Sequence, residues 1–208
     1  TELGERELVE LVRACAEALA ATGVPARDPR WGRLALVEAR TALIGQRPDD
    51  LEDALARAEA LDLPDARAHA PLIRALQRRH TDAAGAVTLL DEALATPEIR
   101  DDARLRVAYG VARAGIAADR VKLAALAEEA ERLGLDRIAG DANLGLARLS
   151  GPEAAIETVS TWLTRAVAAS ARAGSARGVA TALDARADLA LRQGDLDGFL
   201  ADTERAAT

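Results

Sequence analysis

A chain of 208 residues with a formal charge of −7 and a pI near 5.0 carries no overall electrostatic footprint for phosphate backbones or anionic membranes, so no direct nucleic-acid or membrane partner is expected. Half the residues are hydrophobic, 51 are alanine and only 2% are aromatic, which excludes a disordered tail and disfavours a sheet, whose pleated surface wants β-branched and aromatic side chains. The composition predicts an all-α protein with a core of Ala, Leu, Val and Ile.

In chain order, apolar periodicity and punctuation predict eleven helices, over residues 2–22, 29–45, 50–61, 65–79, 82–95, 98–114, 118–133, 136–149, 152–173, 176–193 and 196–207. The first carries Leu8, Leu11, Cys15 and Leu19 on one stripe, so Cys15 is expected as a small core residue. As the only cysteine it makes no internal disulfide, and with no signal-like start the chain reads as cytoplasmic. Asp28 before Pro29 starts the second helix, with Trp31 expected against the first. Asp49 starts the third. In the fourth, Pro71 must kink the helix or postpone its start toward Ala70. Thr81 with Asp82 and, later, Ser175 are further start signals, while Gly23, Gly134, Gly174 and Gly194 are stops. The seventh helix repeats Leu123, Leu126, Ala127, Ala130 and Leu133 at steps of three and four, and the tenth does the same with Val179, Leu183, Ala187, Ala190 and Leu191. Trp162, beside Val159, Leu163 and Ala166, is expected in the core between units.

Short connections force consecutive helices to lie antiparallel and adjacent. Turns within successive pairs fall near Gly45, His80, Gly115, Gly151 and Gly194, a period close to 35 residues that lengthens only at the last step. Second helices end on a small residue: Ala58 or Ala60, Ala93, Ala130, Ala166 and Ala206. The opening helix reads as the second member of a pair. With no methionine anywhere, the chain reads as a piece of a longer one.

Ala86, Leu90, Ala93 and Pro97 resemble the second-helix pattern of tetratricopeptide (TPR) repeats, with Leu for the usual Phe, and Leu144-Gly145 stands where that family has its Leu-Gly pair. The family's first-helix Trp and Tyr are missing. Two longer stretches, Ala127 to Leu149 and Ala171 to Asp195, are similar to the degenerate TPRs of bacterial signalling proteins, among them large ATP-dependent transcription activators of the maltose-regulator type. The resemblance implies a right-handed α-α superhelix, with a half-repeat at 1–23 and repeats at 28–61, 65–96, 98–134, 136–173 and 175–208, within a single domain that follows an upstream module. It also implies a concave face lined by first helices, where Arg33, Arg40, Arg78, Arg79, Arg106 and Arg113, with Tyr109 beside them, would meet an acidic protein or peptide, a C-terminal carboxylate or a phosphorylated ligand. Asp184 and Asp188 would make the far end acidic. The bland alternative is a set of solvated helix faces, with Tyr109 in the core beside Leu105 and Ala112.

Signatures for nucleotide binding, nucleophilic serine chemistry and zinc are absent, and His69 and His80 have no cysteine near them, so no catalytic residue, cofactor or metal is expected. Asp49-Asp50-Leu51-Glu52-Asp53 superficially matches the magnesium-diphosphate motif of helical terpene-forming enzymes. Acidic residues at a helix start are better read as caps that complement the macrodipole, as are Asp101-Asp102, where Asp102 is also placed to pair with Arg106. The sequence therefore points to a non-catalytic interaction or sensor domain of a bacterial signalling or transcription-regulatory protein. The alternative is a helical-repeat receptor for a small peptide, sugar or nucleotide.

Overall fold

The computed structural model describes residues 5–151 and 154–207, and the predicted helix starts at residue 2 and residue 152 lie outside them. Twelve helices and no strand occupy the described residues: α1 (Glu5–Ala21), α2 (Pro29–Ile44), α3 (Pro48–Glu59), α4 (Pro64–Arg78), α5 (Ala83–Ala95), α6 (Pro97–Arg100), α7 (Ala103–Ile116), α8 (Arg120–Arg132), α9 (Asp136–Arg148), α10 (Ile156–Arg172), α11 (Ala176–Gln193) and α12 (Leu196–Ala206). The chain divides into two compact units, Thr1–Asp101 and Asp102–Thr208. Within each, helices pack in the consecutive pairs expected: α2 with α3 and α4 with α5, then α7 with α8, α9 with α10 and α11 with α12. First helices also touch one another, α2 with α4 in one unit and α9 with both α7 and α11 in the other.

One turn recurs, both within helix pairs and between them. At the ends of α2, α7, α8, α10 and α11 a residue in the left-handed conformation is followed by a backbone N–H that donates back to a small, buried residue of the helix. The bonds run from Arg47 to Ala42, Asp119 to Ala114, Leu135 to Ala130, Ser175 to Ser170 and Asp195 to Ala190, each 2.9 Å. Three of these donors serve twice. Asp119, Ser175 and Asp195 also cap the next helix, their side chains accepting from the N–H groups of Lys122, Gly178 and Gly198. The chain thus reverses within about four residues, and the small acceptors let the returning helix lie close.

The left-handed residue is glycine at 134, 174 and 194, as the stop signals predict, but Gln46 and Ala118 elsewhere. Gly45 and Gly115, which mark those turns in the sequence, stand one and three residues too early. Ala118, at φ 55°, is an L-residue in a region that favours glycine. Ala118→Gly is expected to raise stability by about 0.5–1 kcal/mol, the relief of strain being partly offset by a freer unfolded chain. Thermal denaturation beside Gly134→Ala, which should lose a comparable amount, checks this; a less stable A118G would contradict it.

Three helix expectations need correction. The segment 98–114 is two helices, because Asp102 leaves the helical path to accept the Leu105 N–H and start α7 afresh, its Oδ1 2.9 Å from that nitrogen. Pro71 does not postpone α4. That helix begins at Pro64 and carries Pro71 inside it, without the bond that position would donate. Cys15 is exposed and Leu11 is half exposed, because α1 packs mainly on α2 and leaves its Leu11/Cys15 side uncovered.

Alanine carries the core as expected. Ala58, Ala93, Ala130 and Ala166 are all buried, whereas Ala60 is exposed, so Ala58 is the matching residue of the first pair. Ala86 and Leu90 of α5 are fully buried. Leu123, Ala127 and Ala130 of α8 and Leu183, Ala187 and Ala190 of α11 are buried, while Leu133 and Leu191 at the ends of those stripes are exposed. Trp162 packs on the cluster of Ala114, Leu123, Ala127, Ala142 and Leu146, drawn from three other helices, and the Arg120 guanidinium stands 5.7 Å from its ring centre. Trp31 is half-buried at the start of α2. No helix among the described residues is long and apolar enough to cross a membrane.

Candidate functional site

In the first unit, α2 turns two opposite faces to its surroundings. Ala35, Leu36, Ala39 and Ala42 are buried against Leu51, Leu55 and Ile73 of α3 and α4. On the other face Arg33, Val37, Arg40 and Ile44, spaced four, three and four apart, form one exposed stripe. Val37 is 44% and Ile44 43% exposed, which is much for two branched apolar side chains on one helix face. The adjoining α4 supplies charged and polar neighbours: Arg33 Nε donates to Asp65 at 3.2 Å, and Arg40 lies 3.4 Å from His69 Nδ1. Arg78 and Arg79 are exposed at the C-terminal end of α4, where Arg79 Nε donates to His80 Nε2 at 2.8 Å. Arg33, Arg40, Arg78 and Arg79 therefore do lie on neighbouring first helices.

The second unit treats its predicted residues differently. Tyr109 is fully buried and presents nothing to a partner. Arg106 is only partly exposed and its guanidinium donates to Glu129 of α8 at 2.9 Å, so part of its charge is committed inside a helix pair. Arg113 is half-buried near the end of α7. Asp184 and Asp188 are exposed one turn apart on α11. Sequence reasoning missed a stripe on α9. On α9, Arg137, Asp141 and Arg148 are exposed on one side, and Asp141 is accessible yet recessed among neighbouring atoms. Lost hydration there pushes its carboxyl up, against the pull of Arg137 and Arg148. The spacing was legible in the sequence; the recess was not.

The acidic run at the start of α3 disperses. Asp50 accepts from Arg47 at 2.8 Å, Leu51 between the acids is fully buried, and Glu52 turns to α4, where Arg74 holds it at 3.1 Å together with Glu59 at 2.5 Å. Among the described residues no group of three or more Asp, Glu, His or Cys side chains is placed to hold a metal ion. Asp49 does not start α3 and none of these acids caps it: Arg47 stands at the N-cap without a side-chain cap bond and Pro48 opens the helix, so Asp49 and Asp50 only complement its first turn. Asp28 does cap α2, its two oxygens accepting from the Arg30 backbone and side chain, and its carboxyl is lowered to about 2, chiefly by the Arg30 side-chain hydrogen bond. No family model, curated protein or solved structure matches this chain. What the α2 stripe presents is branched apolar side chains beside arginines on one exposed helix face.

Proposed function

We propose that this chain is a non-catalytic helical-repeat module of the TPR-like, solenoid type that binds a protein or peptide on the faces of its first helices. In this reading it works in the bacterial cytoplasm as the interaction or sensor part of a regulatory protein. What supports the architecture is the repeated pairing of helices, the recurrent reversal that joins them and the contacts between successive first helices within each unit. The single observation that carries the binding role is the α2 stripe of Arg33, Val37, Arg40 and Ile44. Exposed aliphatic side chains offer area to a partner, and the arginines choose one with carboxylates beside its own apolar residues.

The test is made on α2. Peptides selected from a random library against the full chain should be enriched in Asp or Glu next to Leu, Ile or Val. The variants Val37→Asp and Arg40→Glu should each weaken the selected peptides at least about tenfold, a loss near 1.4 kcal/mol. Asp184→Lys with Asp188→Lys on α11 should leave them unchanged. Peptides that bind V37D and R40E as tightly as the parent chain would sink the assignment of the face.

A further inference from the structure

On the other side of α2 from that stripe, a cleft of about 360 Å³ opens between α1, α2 and α3, in the size range of small-ligand sites. Its apolar lining comes from Val9, Val12 and Ala16 of α1 and Ala42 of α2, and its polar lining holds three arginines and three carboxylates. Two of each are spent on one another. Arg57 of α3 donates to Glu38 of α2, and Arg47 donates to Asp50 at 2.8 Å. Thr41 is likewise satisfied, its hydroxyl donating to the Val37 carbonyl at 2.9 Å. That leaves Arg13 on α1 and Asp53 on α3, both exposed at the cleft, whose charged groups make no hydrogen bond or ion pair among the described residues.

We propose that this cleft binds a small aliphatic zwitterion, a free amino acid or dipeptide, with its carboxylate on Arg13, its ammonium on Asp53 and its side chain against Val9, Val12 and Ala42. The charge pattern excludes the simpler ligands. A phosphate or nucleotide would satisfy the one uncommitted cation and leave the uncommitted carboxylate in the same cleft without a counter-charge, and a polyamine would do the reverse. One free charge of each sign asks for one of each in the ligand. The lining is aliphatic with no aromatic ring to stack on, so an aliphatic body fits better than a sugar or a base. Occupancy ties α1 to α2 and α3, which makes the ligand a stabiliser of the N-terminal end of the array. The site shares no residue with the α2 stripe proposed for peptide binding, so either assignment can fail alone.

The experiment is a backbone-amide NMR titration of the full chain with L-leucine and, separately, with L-leucyl-L-alanine, each to 20 mM. Shifts saturating on α1, α2 and α3 with either ligand are expected, and whichever binds more tightly sets the length of the occupant. N-acetyl-L-leucine amide, which keeps the side chain and loses both charges, should not bind. Arg13→Gln and Asp53→Asn should each weaken the better ligand at least fivefold. These residues are exposed and without a partner among the described residues, so both variants should fold; were either to unfold, the blocked ligand on the parent chain still decides. No saturable shift with either zwitterion, equal binding of the blocked compound, or parental affinity in R13Q and D53N would each overturn the proposal.

Discussion

Ser170→Leu is expected to destabilise the chain by about 3 kcal/mol, at the upper end of the usual cost of overpacking. Ser170 lies on α10 where three helices meet: a Cβ built at Gly140 of α9 would stand 2.7 Å from its Oγ, and one at Gly178 of α11 2.8 Å from it. Its carbonyl also closes the turn into α11, accepting from the Ser175 N–H at 2.9 Å. The Ser170 backbone N and the Ala166 carbonyl come within 3.4 and 3.5 Å of the Gly140 Cβ position, so the helix backbones themselves are in close approach. A leucine has nowhere to go except by parting α9 from α10 and α10 from α11. Urea denaturation followed by helix signal checks this, with Ser170→Ala as the control that should cost under about 1 kcal/mol. A leucine variant as stable as the parent would mean that these helices are not packed this closely.

Asp202→Ala should cost about 2–3 kcal/mol. Asp202 holds Arg186 in a two-pronged ion pair, both N···O distances 2.6 Å, across α11 and α12, and the two side chains are only 12% and 24% exposed. Removing the carboxylate leaves a guanidinium largely cut off from water with no counter-charge, and the partial exposure of Arg186 brings the loss below the 3–5 kcal/mol of a fully buried pair. The double variant Arg186→Met/Asp202→Leu should recover most of the stability, because two apolar side chains need no partner. Equal losses in the single and double variants would show that shape rather than charge joins α12 to α11. A double-mutant cycle on denaturation midpoints separates the two.

Such pairs mark the limit of what was legible beforehand. Helix positions were legible because they rest on local chemistry. Asp28, Asp82 and Ser175 each accept the backbone N–H that a capping residue should, and Gly134, Gly174 and Gly194 each take the left-handed turn. The break at Asp101-Asp102 was missed for the converse reason. A four-residue helix followed by a new cap has the same apolar spacing as one continuous helix, and only the Asp102 to Leu105 bond distinguishes them. The candidate site divides in the same way. That residues 33, 37, 40 and 44 share a helix face follows from 3.6 residues per turn; that the face is left open does not. Tyr109 shows the cost of that gap, since its position beside Arg106 and Arg113 is compatible with a groove and with the core, and it is fully buried.

The sequence by itself determined that this protein is built from short helices in antiparallel pairs, because alanine content, caps and stops act within one or two turns of chain. It also determined that small residues sit where helices close on each other. Only the tertiary structure decided which arginines are spent and which are available. Arg57, Arg74, Arg106 and Arg186 meet carboxylates 15 to 23 residues away in the chain, whereas Arg13 meets none among the described residues. Charge pairing and exposure depend on which helix lies alongside, and that is a property of packing rather than of local sequence.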